Sequence, residues 1–136
     1  MKRPTLALCL LLPLVIGTVA SEPLPSALAF RTSLERADAG TLVVDFDIAP
    51  GYFLYKKRLA VLDVQGFEVQ DVVVTGVKQA RDPVFGVEEV LDSGSHVLMR
   101  GRSISPSAPA AVRIKIQGCL INELCYPPEV RDLVAH

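Results

Sequence analysis

The chain has 136 residues and a nearly balanced charge, with 14 basic and 15 acidic side chains and a formal net charge of −1 at pH 7. Half of its residues are hydrophobic, which suits a single domain with one buried core. The longest basic run is only Lys56-Lys57-Arg58. Because a nucleic-acid site needs a broader basic surface, we interpret this run as a solvated strand edge and predict no nucleic-acid partner.

The first 20 residues have the pattern of a secretory signal peptide. Lys2 and Arg3 precede an apolar run over residues 6–16, and small residues ending at Ala20 offer a cleavage position. The run is shorter than the roughly 20 residues that cross a bilayer, so we expect export without stable membrane insertion. Cleavage also removes Cys9. We therefore predict an oxidising compartment, which is the periplasm if the source is a Gram-negative bacterium.

Short extended segments follow the signal. Residues 21–28 form a flexible lead-in in this interpretation. Residues 41–48 alternate between apolar and polar side chains, which predicts a half-buried strand. Residues 53–64 predict one or two strands that are interrupted near the basic run, and another extended stretch begins at Gly66.

The second half of the chain continues the same pattern. A proline and a glycine punctuate a loop over residues 81–86. Residues 88–91 and 96–100 flank Asp92-Ser93-Gly94-Ser95, which predicts a hairpin. Alternation over residues 112–116 predicts a strand that runs into Cys119, and a short last strand is expected near the C-terminus, over residues 130–134. Since no segment shows sustained helical periodicity, we predict an all-β fold, an antiparallel β-sandwich.

Cys119 and Cys125 are the two cysteines that remain after cleavage of the signal. They are close in sequence, so we expect both on one loop or hairpin end. A disulfide between them closes a loop of only seven residues and stabilises the fold by about 2.4 kcal/mol at most. Reversible thiol–disulfide exchange needs a thiolate, an accessible sulfur and a partner thiol, and a small loop of this kind can provide the access. The spacing alone leaves a structural disulfide and a redox pair as equal alternatives.

The charges near the pair are acidic. Glu123 and Glu129 lie between and just after the cysteines, with no Lys or Arg among them. Negative neighbours disfavour a thiolate, so we predict a sluggish free thiol that becomes reactive inside a partner complex. His96 and His136 are the two imidazoles that could join the cysteines, and structural zinc sites normally take four protein ligands. We predict neither a metal nor another bound cofactor.

The sequence around the cysteines resembles a known family. The segment Gln117-Gly118-Cys119, five further residues and then Cys125-Tyr126-Pro127-Pro128-Glu129 is similar to the N-terminal periplasmic domain of the thiol:disulfide interchange protein DsbD. Three further segments resemble that family in the same order: Ala29-Phe30, Gly51-Tyr52-Phe53-Leu54-Tyr55-Lys56-Lys57 and Asp82-Pro83-Val84-Phe85-Gly86. The resemblance covers nearly the whole chain after the lead-in.

The resemblance implies an immunoglobulin-like antiparallel β-sandwich over residues 29–136, with a redox-active cysteine pair. In that family the pair receives reducing equivalents through a membrane domain and a thioredoxin-like domain. It then reduces periplasmic thioredoxin-fold partners, such as disulfide isomerases and cytochrome c maturation proteins. By resemblance, Cys125 forms the mixed disulfide with a partner and Cys119 resolves it.

The resemblance also implies a flank and a cap around the cysteines. Phe53 and Tyr55 match aromatic positions beside the pair, and Tyr126 belongs to the cysteine motif itself. The loop from Asp82 to Gly86 matches a cap that hides the sulfurs and opens for a partner.

Within this cap the chain departs from the family. Val84 stands where the family has its shielding Phe, and Pro83 replaces an acidic residue and stiffens the loop. Either Phe85 takes over the shielding or the shielding is weaker.

We therefore expect a periplasmic thiol:disulfide interchange module with protein-disulfide reductase activity. The sequence as it stands contains no membrane domain and no Cys-x-x-Cys segment, so we expect a separate membrane or thioredoxin-like protein to donate its electrons. The alternative is a non-catalytic exported binding module, with a structural Cys119–Cys125 disulfide and a docking surface formed by Phe53, Tyr55 and Phe85.

Overall fold

The structure is a computed structural model that describes Gly17 and residues 21–136. The predicted signal peptide over residues 1–20 otherwise lies outside the described residues. Within the lead-in over residues 21–28, where the sequence predicted no regular structure, a short helix begins at Ser26. The helix is a single turn, closed by hydrogen bonds from the N–H groups of Leu28 and Ala29 to the carbonyl oxygen of Pro25.

The described residues are almost entirely strands, which confirms the predicted all-β fold. In chain order the elements are α1 (Ser26–Ala29), β1 (Phe30–Asp38), β2 (Thr41–Ile48), β3 (Tyr52–Tyr55), the 3₁₀ turn η1 (Lys56–Arg58), β4 (Ala60–Gln65), β5 (Phe67–Thr75), β6 (Lys78–Asp82), β7 (Gly86–Leu91), β8 (His96–Ser103), β9 (Ala110–Ile116), β10 (Gly118–Leu120), β11 (Leu124–Cys125) and β12 (Glu129–Ala135).

The strands of residues 21–136 form three antiparallel sheets. The first has the strand order β1-β2-β8-β5, and the second has the order β12-β9-β4. The third has the order β11-β10-β3-β7-β6, with β11 at one edge and β6 at the other. Apolar side chains from all three sheets meet in one main core.

The predicted alternation places the core side chains correctly in two strands. In β2 every second side chain, from Leu42 to Ile48, is buried, and β9 buries Val112, Ile114 and Ile116. Burial of one such side chain stabilises the fold by about 1.5–3 kcal/mol. Strand β1 was not predicted from the sequence. Its burial alternates, but its inward face carries Thr32 and Arg36 as well as Phe30 and Leu34, so the apolar residues themselves do not alternate.

The hairpin predicted across residues 92–95 is wrong. Strand β7 pairs with β3 and β6, whereas β8 pairs with β2 and β5, so the turn carries the chain from one sheet to another. The buried Ser95 explains the crossing, because its hydroxyl donates to the carbonyl oxygen of Gly76 (2.8 Å) and holds the turn against the body of the molecule. A hairpin lies instead at the predicted loop over residues 81–86, where Asp82 pairs with Gly86.

No helix among residues 21–136 is long and apolar enough to cross a membrane.

Candidate functional site

The two cysteines lie opposite each other on a short hairpin, as predicted. Cys119 is in β10 and Cys125 is in β11, and the register pairs them directly, with a Cα–Cα distance of 4.0 Å. A disulfide joins them. The turn between the strands contains Asn122, whose φ of 57° lies in the left-handed region that Asn tolerates better than most residues.

The rest of the third sheet holds this hairpin in place. Strand β10 pairs with β3, which sets Cys119 opposite Phe53 and Gly118 opposite Leu54. A Cβ atom at Gly118 would lie 2.5 Å from the ring of Phe30 and 2.6 Å from the carbonyl oxygen of Phe53. Only glycine fits this position, which explains the residue that precedes Cys119.

The two sulfur-bearing residues differ sharply in exposure. Cys119 is 2% exposed and belongs to a small buried cluster with Phe53, Tyr55 and Val90. Cys125 is exposed, at the open edge of the sheet. An incoming sulfur can therefore reach Cys125 from solvent, while Cys119 is reached only through the protein.

Tyr55 and Asp82 form a hydrogen-bonded pair beside the exposed sulfur. The Tyr55 hydroxyl donates to the Asp82 carboxylate (2.5 Å) and lies 4.0 Å from the Cys125 Sγ atom. Burial raises the pKa of the Tyr55 hydroxyl above its usual value, and the hydrogen bond to Asp82 adds to this effect. The hydrogen bond from Tyr55 in turn holds the pKa of the Asp82 carboxyl below its usual value. At neutral pH a neutral phenol and an ionised carboxylate therefore face the disulfide.

Asp82 also fixes the backbone of the predicted cap. Its second carboxylate oxygen accepts hydrogen bonds from the backbone N–H groups of Val84 (2.7 Å) and Phe85 (2.9 Å). A carboxylate at the start of a turn commonly satisfies the N–H groups two and three residues later. The cap is therefore a defined turn at the end of the hairpin between β6 and β7.

The cap stands beside the disulfide and leaves it open to solvent. Val84 is 78% exposed and Phe85 is 56% exposed. The Phe85 ring contacts Tyr55 edge to face, with the ring centroids 6.4 Å apart. A cavity of about 320 Å³ separates the cap from the cysteine hairpin, and Phe53 and Ala80 also line it.

Tyr126 points away from this site. Its hydroxyl donates to the carbonyl oxygen of Leu24 (2.5 Å), and the N–H group of Leu24 donates to the Tyr52 hydroxyl (2.7 Å). Its ring packs edge to face on Phe30, with the centroids 5.2 Å apart. The structure thus brings together Phe53, Tyr55, the cap and both cysteines, and places Tyr126 between the lead-in and the main core.

Sequence reasoning missed Lys57, which also contacts the cap. The basic run forms the 3₁₀ turn η1 and not a strand edge, so that interpretation is wrong. The Lys57 Nζ atom lies 4.8 Å from the centroid of the Phe85 ring and forms an ion pair with Glu88. The register that brings β3 beside β7 creates these contacts, and no local pattern in the sequence indicates it.

Two apolar residues beside the cysteines were also missed. Ile121 is 45% exposed and Leu124 is 36% exposed, and both line the cavity. Their position between the two cysteines was the available signal. In the described part of the chain, no group of three His, Cys, Asp or Glu residues is placed to hold a metal ion.

The chain matches a known protein family in both sequence and fold. The family model for the N-terminal part of the thiol:disulfide interchange protein DsbD matches residues 20–135. The chain is 32% identical over 117 residues to DsbD 2 of Pseudomonas aeruginosa, covering 86% of this chain and 19% of that protein. It is 33% identical over 115 residues to DsbD of Pseudomonas fluorescens, covering 85% of this chain and 18% of that protein. The chain thus spans about a fifth of the length of these relatives.

Two solved structures share the fold. The reduced N-terminal domain of DsbD from Neisseria meningitidis has a TM-score of 0.60 and 23% identity, covering 82% of this chain and 87% of that one. The complex between the DsbD and PilB N-terminal domains of the same species gives a TM-score of 0.65 and 24% identity, covering 85% and 88%. These matches confirm the predicted immunoglobulin-like sandwich. With the family model matching almost every described residue, the chain belongs to the family of DsbD N-terminal domains.

Proposed function

We propose that this chain transfers reducing equivalents to partner proteins by thiol–disulfide exchange at Cys119 and Cys125. One observation carries the proposal: a disulfide joins a buried Cys119 to an exposed Cys125 beside an open cavity. Exchange needs one sulfur that a partner reaches and a second sulfur that stays nearby and protected. Membership of the DsbD family supports the same chemistry.

The transfer balances as two successive displacements. In the dithiol form, the Cys125 thiolate attacks one sulfur of a partner disulfide, forms a mixed disulfide and releases a partner thiolate. Cys119 then loses its proton and attacks the Cys125 sulfur, which releases the second partner thiolate and reforms the Cys119–Cys125 disulfide. Two electrons and two protons pass to the partner. A reducing dithiol reverses these steps and reloads the pair.

Tyr55 and Asp82 set the charge around the attacking sulfur. The ionised Asp82 carboxylate is hydrogen-bonded to the Tyr55 hydroxyl, which lies 4.0 Å from the Cys125 Sγ atom, and it disfavours a second negative charge on that sulfur once the disulfide is reduced. The thiol is then a poor target for stray oxidants, which react with thiolates. We expect it to become a thiolate only when a docked partner brings its own donors or positive charge to the cavity.

The proposed partners are periplasmic thioredoxin-fold proteins of the disulfide isomerase or cytochrome c maturation type. The complex of DsbD and PilB N-terminal domains in Neisseria meningitidis supports a protein as the docking partner. The exposed apolar residues Val84, Phe85, Ile121 and Leu124 surround the cavity and offer such a protein an apolar contact surface. A membrane or thioredoxin-like protein would donate the electrons, and export to the periplasm follows from the predicted signal.

Trapping a mixed disulfide tests the proposal. A Cys119→Ala variant retains the exposed thiol and lacks the resolving one, so it should accumulate a covalent complex with an oxidised thioredoxin-fold protein. A Cys125→Ala variant is the matched control, and it should form little or no complex because its remaining thiol is buried. Equal trapping by both variants would show that the two cysteines do not have the proposed roles, and trapping by neither would show that the pair does not exchange.

A further inference from the structure

Phe85 lies at the rim of the cavity and leaves most of it unfilled. Its ring is 56% exposed although the apolar cavity of about 320 Å³ lies beside it. Removal of apolar surface from water is favourable, so an unrestrained ring at this rim would turn into the cavity and cover the disulfide. Some contact must therefore hold the ring outside.

The backbone of the cap is already fixed. Asp82 accepts hydrogen bonds from the N–H groups of Val84 and Phe85, and the hairpin continues directly into β7. The movable part is the Phe85 side chain, whose position depends on the groups that touch its ring. Tyr55 touches it edge to face and leaves the rest of the ring available for another contact.

Lys57 supplies the second contact. Its Nζ atom lies 4.8 Å from the centroid of the Phe85 ring and 5.7 Å from that of Tyr55, within the range of a cation–π interaction. An ion pair with Glu88, which is on the strand that follows the cap, fixes the same ammonium group. Only 15% of the Glu88 side chain is exposed. The ion pair therefore holds the Lys57 ammonium group against the protein, where it faces the Phe85 ring.

We infer that Lys57 is a positioning residue that holds Phe85 at the rim and keeps the cavity open in front of Cys125. The inference rests on the proposed function for its importance, because an open cavity matters only if a partner has to reach that sulfur. The effect itself needs no partner, because Lys57 controls how easily any reagent in solution reaches the disulfide.

The adjacent lysine gives a matched control. Lys56 pairs with Glu89 (2.9 Å) on the same two elements as Lys57 and Glu88, and Phe85 is not among its contacts. Met replaces either lysine with a side chain of similar length and no charge. The probe is tris(hydroxypropyl)phosphine, an uncharged reductant, so that loss of a positive charge does not change its attraction to the protein.

We expect Lys57→Met to slow the reduction of the disulfide by this phosphine about two- to fivefold, the scale of an exposed cation–π contact. Lys56→Met should leave the rate unchanged. The wild-type rate should also fall as sodium chloride is raised, because salt weakens the contacts of Lys57, and Lys57→Met should lose this dependence. Thermal unfolding of each variant checks that it remains folded.

A Phe85→Ala background completes the test, since Lys57→Met should have no effect on the rate when the ring is absent. The inference is overturned if Lys57→Met reacts at the rate of Lys56→Met or faster, or if it slows the reaction equally without the Phe85 ring. Because the phosphine needs no partner protein, a failure here is distinct from a failure of mixed-disulfide trapping.

Discussion

The main core contains many more buried side chains than the cluster around Cys119. Among the described residues, the main core unites 18 buried side chains, whereas the cluster around Cys119 has four. The main core is continuous through all three sheets. The cluster around Cys119 ends at an open cavity and an exposed edge strand. The two clusters share no buried side chain, so we expect the stability of the sandwich to be largely independent of the corner where the sulfurs react. That corner can then change its covalent state while the sandwich persists.

The largest expected effect is on stability from the main core. Ile114 is fully buried in β9, and Ile114→Ala should lower the free energy of unfolding by about 2–5 kcal/mol because it leaves a cavity. Urea denaturation with the disulfide intact measures this loss, and the exposed neighbour Lys115→Ala should change it by less than about 0.5 kcal/mol. The reduction potential of the cysteine pair should not move in either variant. A shifted potential in folded Ile114→Ala would contradict the independence of the two regions.

We expect smaller effects when the hydroxyl group is removed from either of two tyrosines that lie on opposite sides of the disulfide hairpin. Tyr126→Phe removes the hydrogen bond to the Leu24 carbonyl and should cost about 0.5–1 kcal/mol of stability, with no change in the rate of exchange. Tyr55→Phe removes the hydroxyl 4.0 Å from Cys125 and should change the exchange rate. Urea denaturation and exchange kinetics on both variants give the comparison. If Tyr126→Phe changed the exchange rate as much as Tyr55→Phe did, the placement of the Tyr126 ring on the side of the main core would be wrong.

Much of the fold was predictable from local patterns. Alternation in residues 41–48 and 112–116 identified β2 and β9, because each of these strands has one face in the core and one in solvent. The same rule failed at β1, because polar Thr32 and Arg36 occupy positions on its inward face and hide the alternation. The turn signal at residues 92–95 wrongly predicted a hairpin, because such a signal does not say whether the chain stays in one sheet or crosses to another.

The sequence predicted those parts of the site whose chemistry is evident from residue type and motif. The cysteine pair and the cap segment were found from their motifs, and the structure brings them to the same cavity. The contacts of Lys57 arise from long-range strand register and were invisible in the sequence. The orientation of Tyr126 was equally hidden, because its place beside Cys125 in the chain does not reveal which face of the hairpin its ring occupies.

The reduction potential of the Cys119–Cys125 pair tests the central claim most directly, because it separates a redox couple from a structural bridge. Equilibration of the purified protein with thiol–disulfide buffers of known potential would give the value. The proposed exchange function predicts a potential more oxidising than about −300 mV. A value well below about −300 mV would contradict it and would identify the disulfide as the structural staple of a non-catalytic binding module.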